Sequence, residues 1–212
     1  RRLKGPKATH LSHKNMEFCS AYSKFIERLA SCKIKDDHID CPPYVYHIGE
    51  SHCLSYAHQN IQIGLFKHSI QPRLIFGAKA WHFATSKNNI FKTLFKNHVN
   101  SIPEKSNVFL SFGEIDCREN EGILHFKKNS DKDLCEIIEQ TVVGYLNFVY
   151  QHFRNKDCNL FFLGVPAPYF SKFNNSKFSI EMNEQIELIK QFNCVLKSNI
   201  RLDESRLIDV YS

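Results

Sequence analysis

The sequence predicts a three-layer α/β domain with helices on both faces of a parallel sheet, and three observations predict it. Five short runs are largely apolar along their whole length: Tyr44 to Ile48, Leu74 to Phe76, Val108 to Phe112, Leu160 to Val165, and Leu207 to Val210. Between most of them lie longer stretches in which apolar residues recur at three and four. Glycine and a cluster of polar residues follow each of the first three runs. Strands that are apolar throughout are buried on both faces, as crossover helices bury them, and open α/β sheets place their chemistry at strand C-termini.

Taken in order, Met16, Cys19, Tyr22, Phe25, Ile26 and Leu29 form the stripe of an amphipathic helix from Met16 to Cys32. Cys41-Pro42-Pro43 breaks the chain, and Tyr44 to Ile48 is the first core strand, ending at Gly49. A short helical turn is expected from His52 to His58, then a small edge hairpin from Ile61-Gln62-Ile63 and His68-Ser69-Ile70 around Gly64. Leu74 to Phe76 is the second strand, halted at Gly77. Ile90, Phe91, Leu94, Phe95 and Val99 mark a helix that stops before Pro103, and Val108 to Phe112 is the third strand. The longest periodic segment runs from Leu134 to His152, with Asp131 and Asp133 at its positive end. The fourth strand, Leu160 to Val165, is stopped by Pro166 and Pro168. Ile180, Ile186, Ile189, Phe192 and Leu196 outline a last helix, and Leu207 to Val210 begins a fifth strand.

These elements divide the chain into a basic arm with an amphipathic helix, residues 1–40, and an α/β domain, residues 41–212. At 212 residues and 42% hydrophobic content there is material for one sizeable core. No apolar run approaches the roughly 20 residues of a membrane-spanning helix. The chain opens on Arg1 rather than Met, as a processed product or a piece of a longer protein does. The net charge of +6 is scattered, with a local excess only in the arm at Arg1, Arg2, Lys4, Lys7 and Lys14. Such an arm offers a contact surface for nucleic acid, anionic lipid or an acidic protein partner. It has no interleaved aromatic residues, which disfavours nucleic acid. The eight cysteines form no C-x-x-C pair, so they are expected as reduced, mostly buried thiols in the cytoplasm or another reducing compartment.

The three strand ends carry the chemistry. They read Gly49-Glu50-Ser51-His52, then Gly77-Ala78-Lys79-Ala80-Trp81-His82, then Gly113-Glu114-Ile115-Asp116-Cys117-Arg118. A glycine there permits a tight turn and leaves amide N–H groups exposed, as a developing oxyanion requires. A serine opening the next helix gains from the same positive potential. Ser51 has a competing role as a helix N-cap, Glu114, Asp116 and Arg118 as a surface ion-pair cluster, and Trp81 and His82 as packing residues.

With these residues in view, the chain from Tyr44 onward resembles the SGNH (GDSL-like) serine hydrolases. Gly49-Glu50-Ser51-His52 is similar to their first block, usually Gly-Asp-Ser, Gly77 to the second-block glycine, and Gly113-Glu114-Ile115-Asp116 to the third, usually Gly-x-Asn-Asp. The Gly-Glu-Ser-His and Phe-Gly-Glu-Ile-Asp-Cys-Arg wording also resembles an uncharacterised bacterial SGNH-like group. The resemblance implies a flavodoxin-like sheet of five parallel strands in the order 2-1-3-4-5. It implies a catalytic set of Ser51 as nucleophile, Gly77 in the oxyanion hole and Asp116 nearby. Glu50, His52, Trp81, His82, Glu114 and Arg118 would then face the substrate. The expected activity is that of an esterase or O-acyltransferase on an ester of a carbohydrate or other small substrate, and no metal or organic cofactor is implied.

The departures are as informative as the matches. Glu50 stands in for Asp, and Ile115 for the Asn that normally supplies an oxyanion donor, a loss that typically costs ~100- to 1,000-fold in rate. The family's Asp-x-x-His block follows the fifth strand. Here Asp209-Val210-Tyr211-Ser212 has Ser212 where a His would fall, so the block is expected beyond residue 212 or is lost. His52 adjoins Ser51 in sequence and is poorly placed to bond it, which leaves His47, His82 and His125 as stand-in bases. The rival expectations are a catalytically inactive interaction or structural subunit of a larger assembly, and a sugar- or phosphate-binding domain using the strand-end amides.

Overall fold

A computed structural model describes residues 43–168, 176–203 and 205–211, all within the compact unit Cys41–Ser212. The basic arm, the helix expected from Met16 to Cys32, and Ser212 lie outside the described residues. The described chain is a mixed α/β domain. Its strands are β1 (Tyr44–Gly49), β2 (Asn60–Ile63), β3 (Phe66–Leu74), β4 (Asn107–Ser111), β5 (Asn159–Leu163) and β6 (Ser205–Ile208). Its helices are α1 (Ala80–Ala84), α2 (Ile90–Ser101), α3 (Ile123–Lys127), α4 (Leu134–Phe153) and α5 (Ser176–Asn199), with 3-10 turns at Ser51–Tyr56 and Ile115–Cys117. The six strands form one sheet in the order β2-β3-β1-β4-β5-β6, in which only the β2–β3 pair is antiparallel.

Strand β3 differs from the sequence expectation. The return arm of the edge hairpin and the second parallel strand are one element: Phe66 to Ser69 pair with β2, and Ser69 to Leu74 pair with β1. Its positions Lys67, Ser69, Gln71 and Arg73 are polar, so it carries no continuous apolar run, and Phe76 beyond its end is 67% exposed. Pro72 is tolerated within it for a geometric reason. The Ser69 amide points to Pro43 on the β1 side and the Ile70 amide to Gln59 on the β2 side, so alternation aims position 72 past the end of β2, where no ladder donor is required.

The main core lies on the face to which Tyr46, Ile48, Val108, Leu110, Leu160 and Phe162 point. Phe83 sits at its centre, 4.8 Å from Phe112 in a T-shaped pair and 5.4 Å from Phe148, with Tyr145 and Phe95 completing the aromatic cluster. Because Phe112 follows β4 directly, this packing anchors the loop that carries Gly113 to Arg118. Helix starts follow local chemistry. Asn89 caps α2 by accepting from the Lys92 amide at 3.0 Å, and Asp133 caps α4 by accepting from the Cys135 amide at 2.9 Å.

Candidate active site

Gly49, Gly77 and Gly113 stand at one end of the sheet because β1 lies between β3 and β4, with Gly49 level with Leu74 on one side and Ser111 on the other. Glycine at 49 is a matter of close approach: a Cβ there would lie 2.1 Å from Ser111 Oγ and 3.0 Å from Cys53 Cβ. Gly113 has φ of 124° and would press a Cβ to 2.7 Å from the Phe192 ring, so neither conformation nor space admits a side chain. Gly77 turns the chain after β3 with φ of 70°.

Glu50 is the centre of the first strand end. The residue is 1% exposed, and its carboxylate accepts three hydrogen bonds: from Ser51 Oγ at 2.8 Å, from the His52 amide at 3.2 Å, and from His52 Nδ1 at 2.6 Å. Burial pushes this carboxyl up. The hydrogen bond and charge of His52, joined by the Ser51 hydroxyl, outweigh that and hold it below the ordinary Glu range. The same bond raises His52 against its partial burial. The Ser51 side of the pair is exposed to solvent. Among the described residues no histidine bonds the Ser51 hydroxyl.

The third strand end ties the other two together. Glu114 faces the first: its Oε2 lies 4.0 Å from His52 Nδ1, while Arg118 grips the same carboxylate through Nε at 3.0–3.1 Å and Nη2 at 2.8 Å. Asp116, two residues on, faces the second. Its buried carboxylate accepts from the Ala80 amide at 2.7 Å and the Trp81 amide at 3.0 Å, capping α1 from a different part of the chain. Burial pushes the Asp116 carboxyl up to about 6 against the pull of those two amides.

Two cavities flank this hub. One, of about 150 Å³, is lined on its polar side by His47, Glu50, His52, Ser111 and Glu114 and on the other by Val165, Pro166 and Val210. His47 is fully buried there. Its Nε2 meets Ser111 Oγ at 2.9 Å, its Nδ1 has no partner, and burial lowers its pKa to about 4. The other, of about 320 Å³, has Asp116, Trp81, Phe126, Ile123 and Ile137 in its walls.

The residues singled out from sequence therefore fall into two groups. Glu50, Ser51, His52, Glu114 and Arg118 form one connected polar network, whereas Trp81 and Asp116 belong to the second cavity. His82 stacks on Phe91 with ring centroids 4.0 Å apart and accepts from the Lys79 amide at 2.9 Å, which makes it the local brace of the α1 turn. Burial and the charge of Lys79 lower its pKa. Gly77 provides the turn between β3 and α1. His125 lines the rim of the larger cavity.

Sequence reasoning missed Asn193 and Ser111. Asn193 accepts from the Val165 amide at 2.7 Å and donates to the Val165 carbonyl at 2.9 Å, clamping the wall of the smaller cavity to α5. An asparagine mid-helix was the only signal. Strand β6 ends at Ile208, and Asp209 starts a turn in which its carboxylate accepts from the Tyr211 amide at 3.0 Å.

One ligand atom each of Glu50, His52 and Glu114 lies within 4.8 Å of the others, a spacing a metal ion could use. The bonds of His52 to Glu50 and of Arg118 to Glu114 already occupy those atoms, and the guanidinium opposes a cation. The donor set therefore fits a hydrogen-bonded network better than a metal centre. Among the described residues Cys53, Cys117, Cys135, Cys158 and Cys194 are free thiols, and no helix is long and apolar enough to cross a membrane. No protein-family model matches the chain, and no curated protein matches it either.

Proposed function

We propose that the chain is a serine esterase or O-acyltransferase of the SGNH type, acting at Ser51 on an ester of a carbohydrate or another small substrate. The observation that carries this is the exposed Ser51 hydroxyl at the C-terminal end of β1, held by a buried carboxylate and joined through His52 and Glu114 to the end of β4. The sheet supports it as well: with antiparallel β2 set aside, the parallel strands β3-β1-β4-β5-β6 run 2-1-3-4-5 in chain order.

In the reaction, Ser51 Oγ attacks the ester carbonyl carbon, the C–O bond to the alcohol breaks, and the alcohol leaves with a proton. Water or a hydroxyl acceptor then takes the acyl group and restores Ser51. The resemblance assigns the removal of the Ser51 proton to a histidine of the Asp-x-x-His block. Glu50 is a weak base, so its part is to orient the hydroxyl and to hold His52 by Nδ1. Asp116 is a positioning residue, since both its oxygens are engaged by the α1 amides.

A second reading, an interaction subunit that has lost catalysis, is favoured by Ile115. Its side chain is 6% exposed and offers no donor where the third block normally has one. Hydrolysis of p-nitrophenyl acetate and of an O-acetylated saccharide by the full-length protein separates the two. Turnover that falls to background in Ser51→Ala supports the enzyme. Folded wild type that is inactive on both, or Ser51→Ala that keeps the wild-type rate, rejects it.

A further inference from the structure

The cavity between α1, α3 and α4 does not share a lining residue with the Glu50–His52 cavity, and its chemistry is different. Two large aromatic side chains flank it, Trp81 at 43% and Phe126 at 46% exposure, with ring centroids 6.1 Å apart and planes tilted by 31°. Ile123 and Ile137 supply further apolar wall. Asp116, a residue 1% exposed, supplies a carboxylate to the wall.

That carboxylate is under-compensated. It accepts one backbone N–H on each oxygen and makes no ion pair with a described residue, although buried charges are normally paired. Lys79, whose charge is felt at Asp116, donates its ammonium to the Glu121 carbonyl instead. Among the Asp, Glu, Lys and Arg residues lining the cavity, Asp116 and Glu121 stand against Lys79 alone, so the fixed charge is negative. Aromatic faces beside a carboxylate suit an organic cation, because the ring quadrupoles and the acid attract the same charge. A volume of about 320 Å³ lies at the lower end of small-molecule sites.

We propose that this cavity binds a small organic ammonium carrying an apolar or aromatic body, with the cation directed to Asp116 and the body packed against the cavity-facing sides of Trp81 and Phe126. The cavity shares no lining residue with the Ser51 side, and binding there is read without any measurement of catalysis.

Trp81 is the only tryptophan in the chain, so its emission reports on the site alone. The full-length protein is titrated with benzylammonium chloride under selective tryptophan excitation, with benzyl alcohol and phenylacetate as neutral and anionic controls. A saturable blue shift is expected as the ligand displaces water from the half-exposed indole, with a Kd on the order of 1 mM for so small a probe. The controls should bind about tenfold more weakly or not at all. Phe126→Ala, at a half-exposed position and checked for wild-type circular dichroism, should weaken benzylammonium about fivefold or more, and Asp116→Asn should remove its advantage over benzyl alcohol. A shift that does not saturate, controls that bind as tightly as benzylammonium, or Phe126→Ala that binds as the wild type does would overturn the proposal.

Discussion

Replacing Asp116 by Asn should change how stability depends on pH, and the size of the change follows from the structure. The carboxylate is buried, accepts the Ala80 and Trp81 amides, and is shifted from an ordinary 3.8 to about 6. A folded-state pKa above the unfolded one means that the folded protein binds the proton more tightly. The associated stability is therefore complete below pH 3.8 and is lost as pH rises through 6. At about 1.4 kcal/mol per pH unit, the gap is worth roughly 3 kcal/mol. The substituted carboxamide keeps one acceptor but turns its NH₂ toward the second backbone donor, a penalty of about 1–3 kcal/mol that does not vary with pH. Urea unfolding of both proteins from pH 3.5 to 7.5 isolates the carboxyl, because every other group titrates alike in the two. The wild type should lose roughly 3 kcal/mol relative to Asp116→Asn across that range. A difference that stays constant with pH would refute the assignment of Asp116 as a buried, titrating cap.

His47 should act in the opposite sense. Its pKa is lowered to about 4, so its contribution is present above pH 6.5 and is lost as pH falls toward 4, by roughly 3 kcal/mol, and His47→Gln should flatten that part of the urea profile. Gly49→Ala drives a methyl onto Ser111 Oγ and should cost about 2 kcal/mol or more, read as a fall in Tm with the secondary structure intact. Asn193→Ala removes both bonds to Val165 and should cost about 2 kcal/mol, with faster amide exchange in the Gly164–Pro166 segment by hydrogen-exchange mass spectrometry. By NMR titration His52 should have a pKa above the ordinary histidine value in the wild type and a lower one in Glu50→Gln; an unchanged His52 would contradict the Glu50 hydrogen bond as the cause.

The strands legible in the sequence were those whose burial is local information. Tyr44 to Ile48, Val108 to Phe112 and Leu160 to Val165 are apolar enough to mark β1, β4 and β5 to within a few residues, and α2 and α4 follow from a single apolar stripe each. Strand β3 is not legible in the sequence because one strand does two jobs at the sheet edge, and its alternation of Lys67, Ser69, Gln71 and Arg73 hides it. Helix α1 escaped because its cap, Asp116, is 36 residues away, and a five-residue helix has no periodicity of its own. For the same reason the sequence presents as one cluster a candidate site that the fold divides in two. Glycine and acid at a strand end mark a candidate loop but not the direction each side chain takes: Glu114 and Asp116 lie two residues apart and line different cavities. The Asn193 clamp depends on a contact 28 residues distant, which no local pattern encodes.

Whether Ser51 is an activated nucleophile is decided by treating the full-length protein with a fluorophosphonate and locating the adduct by peptide mass spectrometry. One phosphonylated residue is expected, Ser51, with labelling abolished in Ser51→Ala. A folded wild-type protein that takes up no label, or takes it up at another serine, would contradict it.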